Sequence, residues 1–378
     1  MPGLLNVPST PHYVPAPPTK AELDYADLPI IDLGLLADGS PEAFDSIAKQ
    51  ARDAMTEHGF FYVINHGYAK EQTERIFDIA DIPFSQVSDE DKTNTYVGRM
   101  KQTGSYQGYK PRQYWHIEGG VRDQLEHYNI NRDVTKKPHP EALRPFLPEI
   151  TQFAKHNHES VLHPILRLLA AGMELPQETF VNMHGFDSVG ETYVRFMKYY
   201  PRSEDEETKT KNVWLKGHTG TLYHFDFGTI TILYSQPVAA LQILTKDGAW
   251  KWVRHVENAL VINAGDALEF LSGGFYRATI HRVVQPPPDQ RAYTRLGAFY
   301  FCMTDDNVVL APLLESPVLQ KVGVTKKFDD GTKVPTMEEW RKGRTAAYGQ
   351  TELKPSVNEK GVKVEEEFIN GVLVRHYN

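Results

Sequence analysis

The sequence predicts a mainly β protein, a sandwich or barrel core with helices around it. Three observations carry this. From Thr192 onward, short apolar or aromatic runs alternate with turn signals: Pro201-Arg202-Ser203, Asp247-Gly248, Asn263-Ala264-Gly265-Asp266, Ser272-Gly273-Gly274 and Pro286-Pro287-Pro288. Long helical stripes lie mostly before that point. No low-complexity linker separates the halves, so the helices are expected to pack on the β core as one unit.

The elements follow in order. Residues 1–27 form a Pro-rich arm, with prolines 2, 8, 11, 15, 17 and 18 denying it regular pairing. Within 28–190, Leu28–Leu33 has strand character. Pro41–His58 carries Phe44, Ile47, Ala51 and Met55 on one helical stripe with Ser40 as N-cap, and Phe60–Ile64 reads as a strand. A longer helical region runs from about Pro148 to Gly172, with Pro164 expected to kink or split it. The β core occupies 191–305. In 306–378, Thr336 and Glu339 form a capping box ahead of a helix to about Tyr348, and Val362–Tyr377 reads as a hairpin turning at Asn370-Gly371.

Composition narrows the function. With 378 residues, 40% of them hydrophobic, the chain can bury a large core. A net charge of −8 without a basic, aromatic-interleaved stretch argues against nucleic acid, which leaves a small-molecule substrate as the default. Cys302 is the only cysteine, so no intramolecular disulfide is possible, and a reducing, cytoplasmic setting is expected. No apolar run is long enough for a membrane span.

His224 and Asp226 lie two apart in the strand-like run Leu222–Tyr234, so on a strand they share a face while Phe225 turns away. His281 follows 57 positions after His224. Two imidazoles and one carboxylate form a facial set that suits Fe(II) and leaves the opposite positions open for chemistry.

Other groups have plainer readings. His66 is expected to stabilise a turn. His156 and His158 fall on different sides of the proposed helix and read as solvated or capping groups. Asp123 and Glu126, one helical turn apart, read as surface charges. Lys216 and His218 either meet an acidic substrate or face water.

Several runs together resemble the Fe(II)- and 2-oxoglutarate-dependent dioxygenases of the isopenicillin N synthase-like group, over roughly residues 28–305. These are Leu28–Leu33, His58–Gly67, Gly265–Gly274 and His281-Arg282-Val283, in the family's order. The resemblance implies a distorted double-stranded β-helix, or jelly roll, with His224, Asp226 and His281 holding the iron. It also implies an arginine for the far carboxylate of 2-oxoglutarate, aligned here to Arg295 with Arg291 as fallback. Arg295, Gly297, Phe299 and Phe301 share a face by alternation, and a guanidinium among apolar neighbours needs an anionic partner. Met197–Pro201 resembles the family's Asn-Tyr-Tyr-Pro and assigns the cosubstrate contact to Tyr200. Two positions depart from the plant pattern: Gly297 stands for a serine and Lys198 for the asparagine. Lys198, Tyr223, Phe225 and Phe301, with the Tyr106–Trp115 segment, are the substrate-side candidates.

The implied activity is oxidation of a small apolar or polycyclic metabolite with Fe(II), O2 and 2-oxoglutarate, which leaves as succinate and CO2. Hydroxylation is the default outcome; desaturation, cyclisation and demethylation are variants. Two alternatives remain open at this point: an oxidase on the same fold that needs no 2-oxoglutarate, and a non-catalytic ligand-binding jelly roll.

Overall fold

A computed structural model of the chain describes residues 8–114, 120–210, 226–325, 327–328, 331, 333–347, 354–357 and 363–377. Eight strands join into one sheet: β1 (Ile30–Asp32), β2 (Phe60–Ile64), β3 (Gly108–Lys110), β4 (Leu125–Asn131), β5 (Tyr193–Tyr199), β6 (Ile230–Tyr234), β9 (Leu260–Ala264) and β11 (Arg295–Cys302). Their order is β1-β2-β9-β6-β11-β5-β4-β3, so strands from before and after residue 190 interleave in the same sheet. A second sheet, in the order β10-β7-β8, comprises β7 (Leu241–Leu244), β8 (Trp250–Trp252) and β10 (His281–Val283). The two sheets enclose a lumen, the jelly-roll arrangement.

Burial on both faces explains why these strands appear in the sequence as short, nearly continuous apolar or aromatic runs. The inner faces meet in one apolar cluster that includes Phe60, Leu125, Met197, Leu241, Ile243, Val283 and Phe299. The outer face of the large sheet packs on helices in a second, larger cluster that includes Ile79, Phe153, Leu166, Phe196, Leu296 and Tyr300. Register fixes which residues share the lumen: Arg295 lies opposite Tyr199, Gly297 opposite Met197, Phe299 opposite Arg195 and Phe301 opposite Tyr193.

Helix α1 (Pro41–Glu57) starts where Ser40 Oγ accepts a bond from the Ala43 amide at 3.2 Å, with Pro41 at its first position, and buries Ile47, Ala51 and Met55. Helix α2 (Lys70–Ser85) covers β5 and β11 from outside. The long helical region divides into α3 (Leu147–His156), a wide π turn over Asn157–Leu162, and α4 (His163–Gly172). Pro164 therefore follows directly on the π turn, whose widened backbone bonding accommodates the missing N–H without ending the helical run. The π turn carries His158 inward, a correction to its solvated reading. His158 is fully buried, donates through Nε2 to the His184 carbonyl at 2.8 Å and accepts from the Tyr300 hydroxyl at 2.9 Å. His156 is half-buried beside Tyr68. His66 donates to the Asn258 carbonyl at 3.0 Å, tying the turn after β2 to the one before β9.

Asp123 and Glu126 are also corrected. Both are buried, on or beside β4 rather than a helix, and Asp123 pairs with Lys110 while Glu126 pairs with Lys92 at 3.3 Å. Their spacing of three mimics a helical turn, but both faces of β4 are covered and the strand holds buried polar groups.

The arm lies extended across the body. The Pro8 carbonyl accepts from Arg75, Tyr13 stacks on Phe77 at 6.0 Å, and the Pro17 carbonyl accepts from Gln290 at 2.7 Å. At the other end, Thr336 and Glu339 exchange side-chain to backbone bonds at 3.2 and 2.9 Å, the capping box expected for α5 (Met337–Ala347). Trp340 of α5 is fully buried edge-on to Phe270 at 5.1 Å, worth about 0.5–1.5 kcal/mol beyond its area. The chain then forms a third sheet, β12 (Lys354–Val357), β13 (Lys363–Ile369) and β14 (Val372–Tyr377). Its hairpin turns at Asn370-Gly371, both at positive φ, and Asn370 donates to the Glu339 carbonyl at 2.7 Å. Among the described residues no helix is long and apolar enough to cross a membrane.

Candidate active site

Of the three expected iron ligands, Asp226 and His281 are described, and His224 lies outside the described residues. Asp226 precedes β6 instead of lying on it, so side-chain bonds orient its carboxylate. Thr231 Oγ1 donates to Oδ2 at 2.6 Å and Asn263 Nδ2 to the same oxygen at 2.9 Å. Thr231 and Asn263 are register partners on β6 and β9. Gly265 completes the support: a Cβ there would stand 2.5 Å from the Asp226 carbonyl oxygen, so only glycine lets the two turns close on each other.

His281 opens β10 and is 5% exposed. Its Nδ1 donates to the Thr279 carbonyl at 2.9 Å, which places the proton on Nδ1 and leaves Nε2 with the lone pair a metal needs. Phe60 meets the ring edge-on at 5.5 Å and limits its rotation.

Arg295 stands on the inner face of β11, 3% exposed, with its guanidinium 5.2 Å from the Tyr199 ring centre. Its Nε and Nη1 are buried without a hydrogen-bond partner among the described residues. Burial holds the guanidinium below its ordinary pKa range, with Tyr199 and Tyr13 partly opposing the shift. A charge kept dry and unpaired is costly unless a ligand supplies the counter-charge, and a carboxylate matches that fork. Arg291, the fallback, is exposed, and its Nε reaches only the Pro286 carbonyl at 3.4 Å.

Tyr200, expected on the cosubstrate side, faces the other way from Tyr199. Tyr200 points out of the lumen and donates to Glu126, with Arg112 stacked on its ring at 4.4 Å. Tyr199 faces inward, and its phenol lies within electrostatic reach of Arg295, Arg195 and Asp226. Lys198 also faces outward, paired with Asp81 of α2 at 2.6 Å, so it is not a lumen wall. Gly297 faces inward, where a Cβ would stand 2.6 Å from the Phe299 ring. Phe299 thus fills the space a serine would need. Phe301 shares the face of Arg295 and Phe299 and stacks on Tyr193 at 5.1 Å. From the Tyr106–Trp115 segment, Tyr106 is buried against Tyr193 and Phe227. Tyr223, Phe225, Trp115, Lys216 and His218 lie outside the described residues.

Sequence reading misses Thr231, Asn263 and Tyr199. Alternation places Arg195 and Tyr199 on one face of a strand, but which face is inside depends on pairing with β11.

A jelly roll with a supported carboxylate, a lone-pair-directed imidazole and a buried arginine whose Nε and Nη1 lack a partner among the described residues is a set of groups that a metal-dependent oxygenase with an anionic cosubstrate would need. Comparison with known proteins gives the family. Residues 192–304 match the 2OG-Fe(II) oxygenase superfamily, and residues 28–149 match the non-haem dioxygenase in morphine synthesis N-terminal family. The two matches span more than half of the chain, which belongs to the 2OG-Fe(II) oxygenases. It is therefore an enzyme of the class that uses Fe(II), 2-oxoglutarate and O2 on small molecules.

Relatives include homoarginine-6-hydroxylase from Glycine max, 27% identical over 77% of this chain and 89% of its own. Gibberellin 20 oxidase 2 from Oryza sativa subsp. indica is 29% identical over 78% and 72%. A full-length Neurospora crassa protein, solved in complex with alpha-KG, superposes with a TM-score of 0.70 at 22% identity, over 85% of this chain and 96% of its own. At that identity the likeness is one of fold.

Proposed function

We propose that the chain hydroxylates a small metabolite, with His224, Asp226 and His281 holding Fe(II) and Arg295 gripping the far carboxylate of 2-oxoglutarate. The observation that carries this reading is Arg295 on the inner face of β11, whose Nε and Nη1 are buried without a hydrogen-bond partner among the described residues. Bound there, the iron and its cosubstrates supply an oxygen atom for a C–H bond while 2-oxoglutarate leaves as succinate and CO2.

The chain's own residues do the rest. Thr231 and Asn263 hold the Asp226 carboxylate in one plane, and the Thr279 carbonyl holds His281 in its ligating tautomer. Arg295 fixes the reach and direction of the cosubstrate, and Tyr199 lies within electrostatic reach of both Arg295 and Asp226. Phe301, Tyr193 and Phe299 keep water from the reacting carbon. Desaturation, cyclisation and demethylation are alternative outcomes of the same site. An oxidase needing no 2-oxoglutarate has no use for an unpaired guanidinium buried in its lumen, which favours the cosubstrate-dependent reading.

The test is anaerobic titration of Fe(II)-loaded protein with 2-oxoglutarate, following the visible charge-transfer band of a chelated 2-oxo acid. The band is expected in wild type, absent in His224→Ala and sharply weakened in Arg295→Ala. Iron binding without a band would replace this reading with the cosubstrate-free oxidase.

A further inference from the structure

Arg195 belongs to none of the machinery described so far. It projects from the inner face of β5, half-buried, and its guanidinium lies over the Phe301 ring at 4.6 Å and the Tyr193 ring at 5.3 Å. Nε donates to Asn129 Oδ1 at 2.8 Å and Nη2 to the Tyr193 hydroxyl at 3.3 Å, which together fix its plane. Among the described residues Nη1 has no partner, and no carboxylate lies within ion-pair distance of the guanidinium. Nearby acids are committed elsewhere: Glu191 binds Lys136, Ser105 and Gln107, and Asp123 binds Lys110.

The surroundings point toward the iron ligands. An aromatic row runs from Phe227, next to Asp226, through Tyr106 and Tyr193 to Phe301, with successive centroids 5.1, 6.3 and 5.1 Å apart and neighbouring planes within 25°. Phe301 pairs with Thr231, which bonds Asp226, and Arg195 stands one strand further on. Two strand spacings separate it from Thr231, roughly 10 Å. Tyr193 lies within electrostatic reach of both Arg195 and Asp226.

A purely structural role accounts for part of this. Stacking on Phe301 is worth about 0.5–1 kcal/mol and would hold the side chain in place. It leaves the charge without a counter-ion on a wall that a substrate must seal from water. A neutral carbonyl would leave that charge uncompensated, whereas a carboxylate cancels it and fits the planar N–H edge at Nη1. We propose that Arg195 binds a carboxylate of the substrate, which is a small carboxylic acid with a flat, unsaturated body lying along Tyr193 and Phe301. This deepens the proposed function and rests on it.

The experiment uses the full-length chain loaded with Fe(II) and 2-oxoglutarate without oxygen, and ligand-observed NMR with paired probes: benzoic, trans-cinnamic and indole-3-carboxylic acids and their primary amides. At least one acid is expected to bind about tenfold or more tighter than its amide, a difference of about 1.4 kcal/mol. Arg195→Met should bring the pair within about twofold and Arg195→Lys should restore part of the gap. The 2-oxoglutarate band should be unchanged in both variants. Equal binding of acids and amides, absence of acid binding, or a preference that survives Arg195→Met overturns the proposal. Weakened 2-oxoglutarate binding in Arg195→Met also overturns it, by moving Arg195 to the cosubstrate side. The wild-type band reads the parent hypothesis separately: its absence sinks the cosubstrate assignment, while the acid-to-amide comparison needs no turnover and still decides Arg195.

Discussion

On the outer face of β5 and β11, Tyr300 donates to His158, Lys198 meets Asp81 and Tyr200 meets Glu126. On the inner face of the same two strands, Arg295 has two buried nitrogens without partners and Arg195 has no counter-ion among the described residues. The backbone and the register are shared, so the contrast lies in the side chains. Where polar groups only have to be folded, they are paired within the protein. On the lumen side, the ligands proposed for Arg295 and Arg195 would supply the missing partners.

Arg295→Met breaks the comparison most sharply. Removing one side of a buried charge pair costs about 3 kcal/mol, so the 2-oxoglutarate dissociation constant should rise about 100-fold by the anaerobic titration. The apoprotein should melt at the same temperature or higher, because Tyr199 and Tyr13 offset the guanidinium's burial only in part until ligand binds. A lower melting temperature in the apoprotein would make Arg295 a structural residue like those on the outer face.

The outer face should answer to pH instead. Burial pushes His158 down to about 3 and His184 down to about 4, and both are bonded as neutral rings. Because the unfolded chain takes up these protons first, their contribution is complete above about pH 6.5 and is lost as pH falls toward 4. Within that window each histidine lowers stability by up to about 1.4 kcal/mol per pH unit. Thermal melts from pH 7.5 to 4.5 should show the decline with an equal slope in wild type and Arg295→Met. A flat profile down to pH 5 would mean that these rings protonate in place.

The same contrast explains what is legible in the sequence. Alternation along Arg295, Gly297, Phe299 and Phe301 needs only one strand, and it assigns all four to the lumen. The Thr336–Glu339 capping box and the Asn370-Gly371 turn are equally local, and they stand where the sequence puts them. Tyr199 cannot be chosen over Tyr200 in this way, since the choice depends on its pairing with Arg295 nearly a hundred residues away. Asn263 reaches Asp226 only through its register with Thr231, and nothing local announces it. Asp123, Glu126 and His158 mislead because the usual equation of charge with surface fails where a strand or π turn is covered on both sides.

Gly297→Ser tests whether the inner face has room for the hydroxyl that the plant pattern places there. The new Cβ would stand 2.6 Å from the Phe299 ring, so the variant should lose about 1–2 kcal/mol in chemical denaturation. Phe299→Leu in the same chain should recover much of that loss. If Gly297→Ser alone is neutral and tightens 2-oxoglutarate binding, then the ring gives way and the glycine is not a consequence of Phe299.

Lys198→Asn should have the smallest effect, and that is its value. It restores the asparagine of the plant pattern, so an argument from motif alignment expects tighter cosubstrate binding. The structure turns the side chain toward α2, where Nζ bonds Asp81 at 2.6 Å with both groups partly exposed, and such pairs contribute at most about 1 kcal/mol. Stability should fall by no more than that, with 2-oxoglutarate affinity unchanged in the anaerobic titration. A gain in affinity would require residue 198 to face the lumen, which would slip β5 by one residue against β11 and send Tyr199 and Arg195 outward with it.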